Sequence, residues 1–90
     1  MDFEWDDGNI GHCERHGLST REIEWVIEHG LIEFDRDHSG VEQRFKAIGP
    51  IPAGKFAVVA FTYREGRVRP VSGRRMHDKE VAKWLRNYRT

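Results

Sequence analysis

Hydrophobic and polar positions change period several times along the chain, and each change marks an element. The longest apolar run is Phe56 to Tyr63, rich in β-branched and aromatic types and closed by a turn. That length and composition predict a strand buried on both faces rather than a helix. Glu65-Gly66 reads as a short reversal, with Gly66 able to take a positive φ. Arg67 to Ser72 returns as a second strand and runs into Gly73, Arg74 and Arg75. Pro70 has no N–H for a ladder, so its strand is expected at a sheet edge or bulged at that point.

Upstream, Phe3-Glu4-Trp5 alternates apolar and polar and suits a short first strand. Asp6 or Asp7 can cap a brief helix that starts near Asn9 and ends at His16-Gly17. The next helix has the clearest local signature: Ser19 and Glu22 form a capping box, and Leu18 and Ile23 a hydrophobic staple. Ile23, Val26 and Ile27 supply its apolar stripe, and Gly30 stops it. Leu31 to Asp35 reads as a strand, followed by a polar turn through Asp37, His38, Ser39 and Gly40. Val41 to Ile48 suits a half-exposed strand, and a Pro- and Gly-rich loop from Gly49 to Gly54 leads to the central run. The last helix is expected from about Asp78 to Tyr88, because Val81, Trp84, Leu85 and Tyr88 fall on one stripe. The order β-α-α-β-β-β-β-α predicts an α+β fold: an antiparallel meander with two helices before it and one after.

Ninety residues make a single domain, 1–90, and 38% hydrophobic content fills one small core but not a deep cavity as well. Any active site is therefore expected in a shallow surface groove. No segment approaches the roughly 20 apolar residues of a membrane span. The opening MDFEWDD is acidic where a signal peptide would be basic. Cys13 stands alone, which excludes an internal disulfide and fits a reducing compartment, so a cytoplasmic location without membrane attachment is expected.

Zero net charge hides a strong asymmetry. Up to Glu42 there are 12 acidic residues against 3 basic; from Gln43 onward there are 12 basic against 3 acidic. Such a split implies a polyanion or an acidic partner for the C-terminal half, unless the two halves neutralise each other across the fold. Eleven of the 15 cations are Arg, the type suited to bidentate phosphate and carboxylate contacts.

His12 and His16 are four apart, so one helical face would carry both about 6 Å apart. Such a pair can bind a metal, act as acid and base, or hold a phosphate. The order His-Cys-Glu-Arg-His lacks the glutamate position of a zinc-protease helix, and no third ligand follows from spacing, so neither metal nor cofactor is expected. Arg74 and Arg75 close a strand, and alternation sends one of them to the working side of the sheet. Arg44, Lys46, Arg64, Arg67 and Arg69 come from the same sheet and extend the cationic surface. His77 precedes the last helix and is expected to cap it poorly. No phosphate-binding glycine loop, nucleophile elbow or paired-cysteine site is present. Acid–base chemistry on a polyanion remains. On RNA it needs a base for the 2′-hydroxyl, cations for the phosphorane and an acid for the leaving 5′-oxygen.

Phe3-Glu4-Trp5-Asp6, Gly8-Asn9 and His12 to His16-Gly17 resemble the opening of the BrnT toxin family. The capped helix from Ser19 and the central strands leading to Arg74-Arg75-Met76 resemble the rest of its pattern, so the likeness covers nearly the whole chain. It implies a RelE-like fold and a type II toxin that arrests translation by cleaving RNA. It also implies a cognate antitoxin that neutralises the toxin, with operator DNA bound only through the antitoxin complex. By position, Trp5, Asn9, His12, His16 and Gly17 match the opening motif, and Arg74 matches the arginine after the last strand. Pro70 stands where the family carries a β-branched residue, and His77 where it carries a Ser or Thr cap. The reading is thus a metal-independent endoribonuclease, with His12, His16 and Arg74 as catalytic residues and Arg44, Lys46, Arg64 and Arg75 binding substrate. The alternative is a non-catalytic module of the same fold that binds an acidic protein partner through its basic face.

Overall fold

Burial alternates along the central apolar run, and this alternation sets the layers. The computed structural model describes residues 1–38 and 40–88, with Tyr88 described by its backbone only. Ser39 of the expected turn and the Tyr88 side chain of the expected stripe therefore lie outside the described residues. Strand β3 spans Phe56–Arg64; Ala57, Val59 and Phe61 are buried on one face, while Phe56, Val58 and Ala60 are only half-buried on the other. The expectation of burial on both faces is corrected: the first two helices cover one side, the other is covered only in part, with the last helix reaching Phe56, and Tyr63 at the end of the run is exposed.

Four strands, β1 (Leu31–Phe34), β2 (Arg44–Pro50), β3 and β4 (Arg67–Arg75), form one antiparallel sheet in the order β1-β2-β3-β4. Three helices accompany it: α1 (Ile10–Glu14), α2 (Thr20–His29) and α3 (Asp78–Tyr88). The meander and the α+β class agree with the hydrophobic pattern. Phe3–Trp5 differs: it makes a single parallel bridge, Phe3 to Val68, rather than a strand. Glu4 N–H donates to the Val68 carbonyl at 2.8 Å, and Val68 N–H to the Asp2 carbonyl at 2.9 Å. The outer edge of β4 is thereby occupied, and Pro70, two residues on, turns its nitrogen to that same edge, where it removes no bond to β3. The ladder also shifts register between Ala60 and Phe61, so β4 is both an edge strand and bulged beside Pro70. At the hairpin, Glu65 (φ 52°) and Gly66 (φ 78°) both take the left-handed conformation that fits the twist of paired strands.

The core lies between the sheet and α2. Ile23, Val26 and Ile27 from α2 meet Ala47, Ala57, Val59 and Phe61, joined by Leu18, Cys13 and Val68. Ser19 caps α2 as expected: its hydroxyl accepts from Glu22 N–H at 3.1 Å, and the Glu22 carboxylate accepts from Ser19 N–H at 2.9 Å. Gly30 is needed for space. A Cβ there would sit 2.6 Å from the Val26 carbonyl oxygen and 2.8 Å from that of Ile48, so the end of α2 lies directly against β2. Helix α1 is shorter than expected and its cap is Asn9 rather than Asp6 or Asp7. The Asp6 carbonyl instead accepts the N–H groups of Asn9 and Ile10. Cys13 is fully buried, and that burial pushes its thiol up to about 11, which makes it an inert packing residue.

Candidate functional site

The sheet face turned away from α1 and α2 carries most of the chemistry. Strand pairing assigns its residues directly: Lys46 is opposite Ala60, which is opposite Ser72; Ile48, Val58 and Arg74 form the next row; Arg44, Thr62 and Arg69 form the row before. Arg69 and Ser72 are three apart and share this face only because the bulge absorbs one residue between them. Small side chains at Ala60 and Ser72 leave a depression rimmed by long cations. It is a cavity of about 310 Å³ whose polar lining comprises His16, Asp35, His38, Arg44, Lys46, Ser72 and Arg74.

Two more cavities continue it. Arg44 is shared with one of about 320 Å³ that also takes His12, Thr62, Arg64 and Arg69. Lys46 and Arg74 are shared with one of about 310 Å³ along α3, lined by Glu80, Lys83 and Trp84. The result is a continuous shallow trough across the open face.

Of the expected site residues, His16, Arg44, Lys46 and Arg74 meet in the central cavity, and His12 and Arg64 line its neighbour. The two histidines do not share a helical face, because α1 ends at Glu14 and His16 lies in the turn closed by Gly17 at φ 86°. That turn brings His16 past the edge of β4 to Gly73 and Arg74. Arg75 is paired with Ala57 on the helix-covered side of the sheet, is exposed, and lines none of these three cavities. Alternation thus delivers one arginine of the pair, Arg74.

Several cations are already held by acids. Arg69 donates to Glu4 at 2.7 Å and to Asp6 at 2.9 Å, with only 12% of its side chain exposed. The Arg69 hydrogen bond, followed by one from Gly8 N–H, holds the Asp6 carboxyl below its usual range. Arg67 reaches Asp2 at 3.1 Å, and Arg64 reaches Glu42 at 3.2 Å. Arg74 makes a bidentate pair with Glu80 at 2.8 and 2.9 Å. That pair, aided by a hydrogen bond from His77 N–H, brings the Glu80 carboxyl down to about 2. His77 therefore starts α3 with half a capping box: Val81 N–H donates to its carbonyl and Glu80 accepts its own N–H.

Asp35 and His38 were not singled out as a pair by the sequence pattern. The Asp35 carboxylate is only 6% exposed and lies 3.0 Å from His38 Nδ1. It also accepts the His38 backbone N–H at 3.3 Å. Burial by itself would raise this carboxyl, but the His38 side-chain hydrogen bond and the charge of Lys46 outweigh it and hold the group below its ordinary value. An Asp at a strand end followed three residues later by His in a polar turn was the available signal. Among the described residues, no group of three His, Cys, Asp or Glu side chains is placed to hold a metal ion. No described helix is long and apolar enough to cross a membrane.

Comparison with known proteins adds one finding. The model of a family described as "Ribonuclease toxin, BrnT, of type II toxin-antitoxin system" matches residues 5–80. No curated protein sequence matches the chain.

Proposed function

The chain belongs to the BrnT family of type II toxin–antitoxin ribonuclease toxins, and from that premise we propose that it cleaves RNA in the trough on its open sheet face. One observation carries the reading: His16, Arg44, Lys46 and Arg74, drawn from three separate elements, converge on a single cavity floored by small side chains. A phosphodiester seated there meets guanidinium and ammonium groups that stabilise the extra charge of a phosphorane. His16 stands at the cavity's edge to move a proton, and His12 with Arg64 extends the track along the strand to a neighbouring nucleotide. These side chains suffice for 2′-hydroxyl attack, so the reaction is assigned as metal-independent.

The family premise extends the proposal to the rest of the biology. The chain is a RelE-like bacterial cytoplasmic toxin whose RNA cleavage arrests translation. A cognate antitoxin neutralises it, and operator DNA is bound only through that complex. The test is a map of new RNA 5′ ends in bacteria after a short pulse of the chain without its antitoxin, beside a His16→Ala culture. New ends within minutes, lost in the variant, support a nuclease that uses His16. Soluble, folded protein with no new ends and unaffected growth would remove the nuclease reading.

A second reading draws on the occupied arginines. Arg64, Arg67, Arg69 and Arg74 all contact carboxylates, as in a protein-binding face that accepts acidic side chains. It predicts that charge reversal at Arg74 and Arg75 weakens a protein complex while His16→Ala changes nothing.

A further inference from the structure

We infer that His38, oriented by the buried carboxylate of Asp35, is the base that takes the 2′-hydroxyl proton in the trough, with His16, which lines the same cavity, as the acid. The inference rests on the ribonuclease reading and assigns roles within that site.

The geometry fixes the tautomer. Asp35 sits one residue past β1, where its N–H donates to the Arg44 carbonyl at 2.8 Å, so the ladder to β2 holds its backbone. Its carboxylate is buried and can only accept hydrogen bonds, so His38 Nδ1, 3.0 Å away, is the nitrogen that carries a proton toward it. The neutral ring then keeps its lone pair on Nε2, and the ring is 62% exposed and lines the central cavity. A second contact, His38 N–H to Asp35 Oδ1, closes the turn and holds the His38 backbone beside the carboxylate. Carboxylate, imidazole and open cavity are the parts of a base whose developing imidazolium is stabilised from behind. Arg44 and Lys46 from β2, Arg74 from β4 and His16 from the α1 turn line the same cavity. They supply the positive field for the phosphate.

The step balances without a further reactant. His38 Nε2 takes the 2′-hydroxyl proton, O2′ bonds to phosphorus, and the P–O5′ bond breaks. His16 gives its proton to O5′, leaving a 2′,3′-cyclic phosphate and a 5′-hydroxyl.

The test uses the full chain freed from antitoxin and an RNA containing a mapped cleavage site, made with either a 5′-oxygen or a bridging 5′-sulfur at that bond. Sulfur leaves without a proton, so it rescues the loss of an acid and not the loss of a base. His38→Ala is expected to cut at least about 100-fold slower on both substrates while staying folded, with an unfolding midpoint lowered modestly because the buried Asp35 carboxylate loses a hydrogen bond. The deficit of His16→Ala should largely disappear on the sulfur substrate. Asp35→Asn keeps the shape and removes the charge, so it should slow cleavage and move the acid limb of the pH–rate profile to lower pH. Wild-type rates in His38→Ala, within about threefold, would overturn the inference while leaving the nuclease intact. Rescue of His38→Ala by sulfur would overturn its assignment as the base. An unmoved acid limb in Asp35→Asn would overturn the part given to Asp35. A wild-type chain that cuts no RNA would overturn the nuclease reading and this inference together.

Discussion

Asn9 shows how one polar side chain organises its surroundings. It is 3% exposed, donates from Nδ2 to the carbonyls of Glu4 and Pro70 at 2.9 Å each, and accepts from Asp6 N–H at 2.8 Å. The N-terminal segment, the start of α1 and the bulged part of β4 are thus tied to one amide. Asn9→Ala takes the partner from three backbone groups, at a cost of about 2 kcal/mol. Urea unfolding should show the midpoint falling with the slope unchanged. Such a residue is only half legible in the sequence. The local pattern marks a helix start near Asn9 but gives the cap to Asp6 or Asp7, and the partner of Asn9 at Pro70, 61 residues away, exists only after the sheet has formed.

At the scale of elements, α3 is the least embedded. None of its described residues is fully buried, and Leu85 of its apolar stripe is 36% exposed. Its contacts include the edge-to-face pair of Phe56 and Trp84 at 5.7 Å and the Arg74–Glu80 bidentate pair. The Arg74–Glu80 pair titrates. Folding lowers the Glu80 carboxyl from 4.5 to about 2, chiefly through Arg74. A depressed carboxyl adds stability that is complete above its unfolded value and disappears as pH falls through its folded one. The advantage of wild type over Glu80→Gln in urea unfolding should therefore be constant above about pH 4.5 and shrink to nothing near pH 2. A difference that does not vary between pH 5 and 3 would show that Glu80 acts without its charge. By contrast, α2 needed only its local sequence, because a capping box, a staple and a stripe each join residues no more than five apart.

Across the whole molecule, the charge asymmetry becomes partly self-neutralising. Asp2, Glu4 and Asp6 from the acidic half sit on Arg67 and Arg69 from the basic half, and Glu42 on Arg64. The cations that line the central cavity are Arg44, Lys46 and Arg74. If these three meet phosphates, the log–log slope of affinity for a single-stranded RNA against salt should be about −2, since each phosphate neutralised contributes about 0.7. A slope of about −4 would mean that Arg64, Arg67 and Arg69 also let go of their acids and join the RNA. Filter binding of the His16→Ala variant to a short RNA over a range of salt measures it.

The division between sequence and tertiary structure follows from the range of the forces involved. Hydrophobic period, turn residues and caps act over a few neighbours, so the chain by itself determined the four-stranded antiparallel meander, the capped α2, the Glu65-Gly66 hairpin and the edge position of β4. The strand expected at Phe3–Trp5 failed because a single bridge to Val68 takes the place of a ladder. Local pattern cannot count hydrogen bonds between distant segments. Which cations reach a ligand was likewise a tertiary decision. The bulge beside Pro70 puts Arg69 and Ser72 on one face, the turn after Glu14 brings His16 over the edge of β4, and the end of β1 sets Asp35 behind His38. Each depends on distances between residues far apart in the chain, and those distances are set only when the sheet closes.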